Sequence, residues 1–174
     1  MLKTKHITEC ELKGTGSFER LVTTESRLYF HVVRSWDGSF WDGFDTCNSN
    51  GGHLAEANDE QEFEAIKLTL WKFCLERGIT QTKVWIGLWF ETFYGLKPQA
   101  EWYNSYKAYE YEASVPVYNV PQYNCLAMTI DDANTLQPKY TIEGMDCNTQ
   151  KNYFMCHQEC GSFNPYQECN QIQA

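Results

Sequence analysis

The clearest apolar–polar periodicity in the chain lies in NDEQEFEAIKLTLWKFCLERG (58–78). Phe63, Ile66, Leu70, Phe73 and Cys74 recur there at helical spacing, which predicts an amphipathic helix. Asn58 is its expected N-cap, Gln61 sits at the capping-box position, and Gly78 is its stop. The acids at its start suit the positive end of a helix better than they suit a cation site. A shorter helix is expected from Ser39 to the pair Gly51 and Gly52, with Gly43 counting against it. Elsewhere the period changes. RLYFHVV (27–33), KVWIGLWF (83–90), CLAMTI (125–130) and NYFMC (152–156) are aromatic and aliphatic runs that predict strands. DDAN (131–134) predicts a hairpin turn, and residues 1–26 read as polar and irregular. Helices first and strands later make an α+β fold with antiparallel sheets.

Composition narrows the function. The 174 residues suit one domain, and a net charge of −9 disfavours nucleic acid, whose phosphates need clustered cations. No run approaches the roughly 18 apolar residues of a membrane span. The start, MLKTKHITEC, lacks the apolar core of a secretory leader, so secretion would need a leader ahead of Met1. Eight cysteines point to an oxidising compartment and a disulfide framework, although the count alone allows about 105 pairings. Four scattered histidines offer no nucleophile–base pair, so no enzyme and no cofactor are expected.

Several pieces together resemble the C-type lectin-like domain. They are LYF (28–30), a Trp-bearing segment reaching Cys47, GGHLAEANDEQEF (51–63), VWIGL (84–88), Trp102, CLAM (125–128), Cys147 and FMC (154–156), in that order. The resemblance covers residues 27–157, leaving an arm at 1–26 and an extension at 158–174. It implies two helices, antiparallel sheets and a long loop, with Cys47 bonded to Cys156 and Cys125 to Cys147. It makes Trp85 a core residue, Gly87 a point of close backbone packing and His53 structural. Cys10, Cys74, Cys160 and Cys169 fall outside the pattern. Cys160 could pair with Cys169, leaving Cys10 for Cys74, or Cys10 could meet a carboxy-terminal cysteine. A metal knuckle of Cys156, His157, Cys160 and Cys169 is disfavoured, because it would take Cys156 from a core bridge.

Sugar-binding members of that family hold calcium with oxygen ligands from a loop triplet around a cis proline, an acid before the third framework cysteine, and a Trp-Asn-Asp triplet. The matching positions here are Val115, Pro116 and Val117 (or Val120, Pro121 and Gln122), then Tyr123 and Asn124, then Ile142, Glu143 and Gly144. No metal is therefore expected at this site. Asp131, Asp132 and Asn134, and likewise Glu143 and Asp146, are explained by a turn and by solvation. The loop is instead rich in tyrosine: Tyr103, Tyr106, Tyr109, Tyr111, Tyr118 and Tyr123 all fall between Trp102 and Cys125. Some should pack inward, while Trp102, Tyr106, Tyr109, Tyr111, Tyr118 and Tyr123 are the candidate ligand-binding residues. Glu101, Glu110 and Glu112 against Lys107 favour a basic partner patch. The expectation is a secreted, extracellular, non-catalytic protein that binds a protein partner or surface without calcium. A glycan-binding lectin using aromatic stacking (Trp89, Trp102) and a structural or matrix subunit are the alternatives, with oligomers possible.

Overall fold

The computed structural model describes residues 18–24, 27–32, 37–91, 99–118 and 123–159. After two strands, β1 (Phe18–Thr23) and β2 (Arg27–Val32), come helix α1 (Phe40–Ser49), β3 (His53–Leu54) and helix α2 (Glu60–Arg77). The chain continues through β4 (Thr82–Glu91), β5 (Gln99–Trp102), β6 (Val117–Tyr118), β7 (Cys125–Asp131), β8 (Lys139–Met145) and β9 (Tyr153–Glu159). The expected α+β, C-type lectin-like layout is present.

The strands are ordered β1-β2-β9-β4-β7-β8-β6, with β3 beside β9 and β5 beside β4. Most pairings are antiparallel, but β4 with β9 and β6 with β8 are parallel, so the sheet is mixed rather than purely antiparallel. The reason is topological. The last strand returns between β2 and β4, and its two neighbours run in opposite directions. The amino-terminal segment read as irregular contains β1, which extends the sheet beyond β2. At their adjoining ends, Thr24 N donates to Arg27 O and Arg27 N to Thr24 Oγ1.

Helix α1 starts as expected at Ser39, in a reciprocal capping box with Asp42. Gly43 is compatible with the helix because of what it faces: a Cβ there would lie 3.0 Å from Phe154 on β9. Helix α2 starts one residue later than expected. Asp59, not Asn58, is the N-cap, accepting from Glu62 N at 2.8 Å. The Glu62 carboxylate, rather than Gln61, reaches back to Asn58 N at 3.0 Å. Gly78 ends the helix with φ +65°.

Two apolar clusters fill the interior. Phe63, Ile66, Leu70, Phe73 and Cys74 of α2 pack on Ile86, Leu88, Met128 and Ile142. Phe40 and Cys47 of α1 pack on Trp85, Ala127, Phe154 and Cys156. The Cys47–Cys156 bridge ties α1 to β9, and Cys125–Cys147 ties the start of β7 to the segment after β8. Cys74 corrects the expectation that it joins a bridge. It is a free thiol, wholly buried among the α2 core residues, and burial pushes its pKa up to about 11. Cys10, Cys160 and Cys169 lie outside the described residues. Because Cys156 is bridged, the metal-knuckle alternative loses a ligand.

Candidate functional site

The long loop leaves the sheet after β5 and returns at β7. Its base is held by one carboxylate. Glu56, 2% exposed, accepts from Asn104 N at 2.8 Å and from Ser105 N at 3.2 Å. It reaches them beside Gly87, whose N–H donates to Ala55 O and whose carbonyl accepts from Tyr103 N. A Cβ on Gly87 would come 2.8 Å from both Leu54 O and Glu56 Cγ, so no side chain fits there without movement.

Glu56 is itself fixed by a buried polar network. Its backbone N–H donates to His157 Nδ1 at 3.0 Å. Its carbonyl accepts from Arg27 Nη1 and from the Tyr29 hydroxyl, each at 2.6 Å. Arg27 also pairs with Glu62 at 3.2 Å and Glu159 at 2.9 Å, and Glu159 meets His157 Nε2 at 3.2 Å. Burial pushes the Glu56 pKa up, against the pull of the Asn104 and Ser105 amides. Burial also drives His157 down to about 4, so the ring is neutral and Nδ1 can accept. Burial works against charge on Glu159, but the His157 bond and Arg27 outweigh it and bring that carboxyl to about 2. Half-buried His53 stacks obliquely on His157, a structural placement. Neither Arg27 nor Glu56 was a candidate from the sequence, and His157 entered only as a ligand of the disfavoured metal knuckle. The one available signal was an acid between alanines in LAEA (54–57), a run otherwise suited to burial.

The candidate ligand-binding residues separate into two groups. Trp102 and Tyr109 are 1% and 9% exposed, which corrects their placement on a binding face. The Tyr109 hydroxyl donates to Val115 O at 2.7 Å, and its ring packs edge-on against Trp102 and Phe63. Tyr111 is half-buried and stacks on Phe63 at 4.4 Å and 8°. These rings give the loop a core of its own. Tyr106 and Tyr118 are 70% and 57% exposed, and Tyr123 is partly exposed. Tyr103 joins a separate ring cluster with Phe40, Phe44, Trp89 and the partly exposed Trp41.

The positions where the family's calcium ligands would stand now have a geometry. Val115 is buried, Pro116 O accepts from Ile142 N at 2.9 Å, and Val117 pairs with Ile142 across β6 and β8. No cis peptide occurs among the described residues, so the bond before Pro116 is trans rather than cis as the resemblance implied. Pro121 lies outside the described residues. Glu143 is the one carboxylate at the matched positions, and Lys83 Nζ sits 3.2 Å from it. A calcium ion needs six or more oxygen ligands, so this donor set does not fit one. Two of the other acids, Asp132 and Asp146, stand at turns. Asp132 takes φ +54° and its carbonyl accepts from Thr135 N. Asp146 accepts from Asn148 N and Thr149 N, which holds its carboxyl below the usual range. Among the described residues no three His, Cys, Asp or Glu converge on a point that could hold a metal.

Comparison with known proteins agrees with this fold. A family model described as "Lectin C-type domain" matches residues 37–158. A search of curated proteins finds no match. Among solved structures, the chain is similar to the C-type lectin domain of murine dendritic cell inhibitory receptor 2, solved in complex with an N-glycan. That match has 15% identity and a TM-score of 0.58, covering 81% of this chain and 97% of that one. It is also similar to the carbohydrate-recognition domain of the mouse scavenger receptor C-type lectin. Here identity is 17% and the TM-score 0.52, over 82% of this chain and 96% of that one. Such domains generally bind rather than catalyse. With most of its length matched, and both of the implied disulfides in place, the chain belongs to the C-type lectin domain family.

Proposed function

We propose that this chain is an extracellular, non-catalytic recognition domain that binds a protein surface through its long loop without calcium. The observation that carries the reading is the exchange of oxygen ligands for Val115, Val117 and Gly144, with Lys83 beside the remaining carboxylate, Glu143. A loop that keeps its own ring core and still exposes Tyr106 and Tyr118 suits a protein interface, where tyrosine supplies rigid contact area. The acids Glu101, Glu110 and Glu112 favour a basic partner.

The test compares thermal melting in calcium and in chelator. It also compares capture of partners from extracellular extract, in chelator, by the natural domain and by a Tyr106→Ala, Tyr118→Ala variant. Unchanged melting and loss of capture only in the variant are expected. A clear fall in both melting temperature and capture on chelation would sink the reading.

Glycan binding is the second reading, favoured by the ring cluster Trp41, Phe44, Trp89 and Tyr103, in which adjacent rings lie 4.9 to 6.1 Å apart. A glycan array run in chelator separates the two, because saturable binding displaced by free sugar supports the second alone.

A further inference from the structure

We propose that His157 is an acid-sensing latch for the long loop: when its ring takes up a proton it lets go of Glu56, and Glu56 in turn releases the loop tip that presents Tyr106. As regulation of binding, the latch rests on the reading of this loop as a partner-binding surface.

A chain of contacts runs from the interior to the surface. The His157 ring is 1% exposed, with Nε2 on Glu159 and Nδ1 accepting from Glu56 N–H. This arrangement needs a neutral ring with its hydrogen on Nε2. A proton on Nδ1 sets donor against donor, and Glu56 N–H loses its acceptor. The Glu56 carboxylate, at the other end of the same residue, holds Asn104 and Ser105 N–H. Beyond them the tip turns tightly, Trp102 N donating to Lys107 O and Tyr106 N to Trp102 O. Tyr106 takes φ +59°, a left-handed conformation that side chains rarely adopt, and its ring faces solvent. A tip bent in this way relaxes when its hold is lost. Tyr103 stays behind, because its N–H is on Gly87 O and its ring lies among Phe40, Phe44 and Trp89. The movement is therefore confined to residues 104–107.

The charged and titratable neighbours of the ring are Glu159 of its own strand, Arg27 and Tyr29 of β2, His53 of β3, Glu56, and Glu62 of α2 behind Arg27. Burial is the largest influence and disfavours the proton; Arg27 and His53 act with it, and Glu159 acts against it. The closed ring is thereby held to about 4, against 6.5 for a solvated one. Acid favours the open form. Through His157 alone, the ratio of open to closed chains rises about twentyfold from pH 7 to pH 5. Glu56, raised by burial, takes back part of that rise.

Amide hydrogen exchange of the full chain from pH 7 to pH 5, corrected for intrinsic rates, tests the latch without a partner. Protection at Glu56, Asn104 and Ser105 should lie below that of Leu70 and Leu126 and should fall by about five- to twentyfold. In His157→Asn, whose side-chain oxygen can still accept from Glu56 N–H, that fall should vanish. No fall with pH, protection equal to that of the core, or the same fall in the variant would each overturn the proposal. Should the variant not fold, the His157 ring signal of the natural chain decides: it should be neutral at pH 6, and a ring charged there would overturn the latch. Proteins captured from extracellular extract at pH 7 should elute at pH 5 from the natural domain and stay on His157→Asn. Exchange that quickens while capture is unchanged at pH 5 would overturn the coupling to binding. Quickened exchange with no capture at either pH would instead support the latch and count against the loop as the binding surface.

Discussion

At the residue scale the loop depends on Glu56, and its replacement is the sharpest test of that role. In Glu56→Gln one of the two contacts to Asn104 and Ser105 N–H becomes donor against donor. The expected loss is about 1–3 kcal/mol, with faster hydrogen exchange at those two amides. Unchanged exchange there would show that the carboxylate does not hold the loop. Gly87→Ala acts through space alone. Its Cβ would press on Leu54 O and Glu56 Cγ, and a cost of about 1–3 kcal/mol should appear as a lowered Tm. The same network predicts acid sensitivity. His157 is held neutral, with a folded value of about 4 against an ordinary value of 6.5. The unfolded chain therefore takes up this proton first as pH falls, and stability present above 6.5 is lost down to about 4. The loss is on the order of 3 kcal/mol. Glu159, held low by His157 and Arg27 despite burial, extends the decline from 4.5 towards 2. Glu56 opposes it, because burial lets its folded form bind a proton earlier. Urea midpoints measured from pH 7 to 4 should flatten in His157→Gln if His157 is the source.

At the element scale the helices were the most legible part of the chain, and the reason is local. Their signals are period, cap and stop, all within one segment, so α1 and the inner face of α2 follow from the sequence. The cap of α2 was misplaced by one residue because Asn58 and Asp59 are both good caps, and only the fold decides which backbone bends. Asp59→Ala should therefore cost about 1 kcal/mol. Asn58→Ala should cost less, since Asn58 contributes its N–H, which alanine keeps. Reversed values from thermal melts would restore the original assignment. The two-residue strand β6 and its parallel pairing with β8 could not be read, because its partner lies 25 residues away and no periodicity marks it. The division of the tyrosines was hidden for the same reason. Tyr109 and Tyr118 look alike in sequence, and only the contacts with Phe63, Trp102 and Val115 make one a core residue. Cys74 was misread in the opposite way: cysteine count suggested a bridge, while its place in the helical period already marked it as core.

At the scale of the whole molecule, the two disulfides do different work. Cys47–Cys156 closes a span of 109 residues and joins the first helix to the last strand, so most of both apolar clusters lies within the loop it restricts. Cys125–Cys147 closes only 22 residues and fixes the end of the long loop to the β7–β8 hairpin. By chain entropy the first should contribute about 4–5 kcal/mol and the second about 3 kcal/mol. The location of the damage should differ more than its size. A Cys47→Ala, Cys156→Ala variant is expected to lose stability throughout, with exchange rising together in α1, β4 and β9. A Cys125→Ala, Cys147→Ala variant should keep protection in α2 and β4 while the amides of Leu126, Gly144 and Met145 exchange faster. It should also lose partner capture through Tyr118, because β6 is held to the sheet by its pairing with β8. If both variants lost protection uniformly, the shorter bridge would be a fold staple and not a loop anchor. The loop's own support would then rest on the Glu56 network and its ring core.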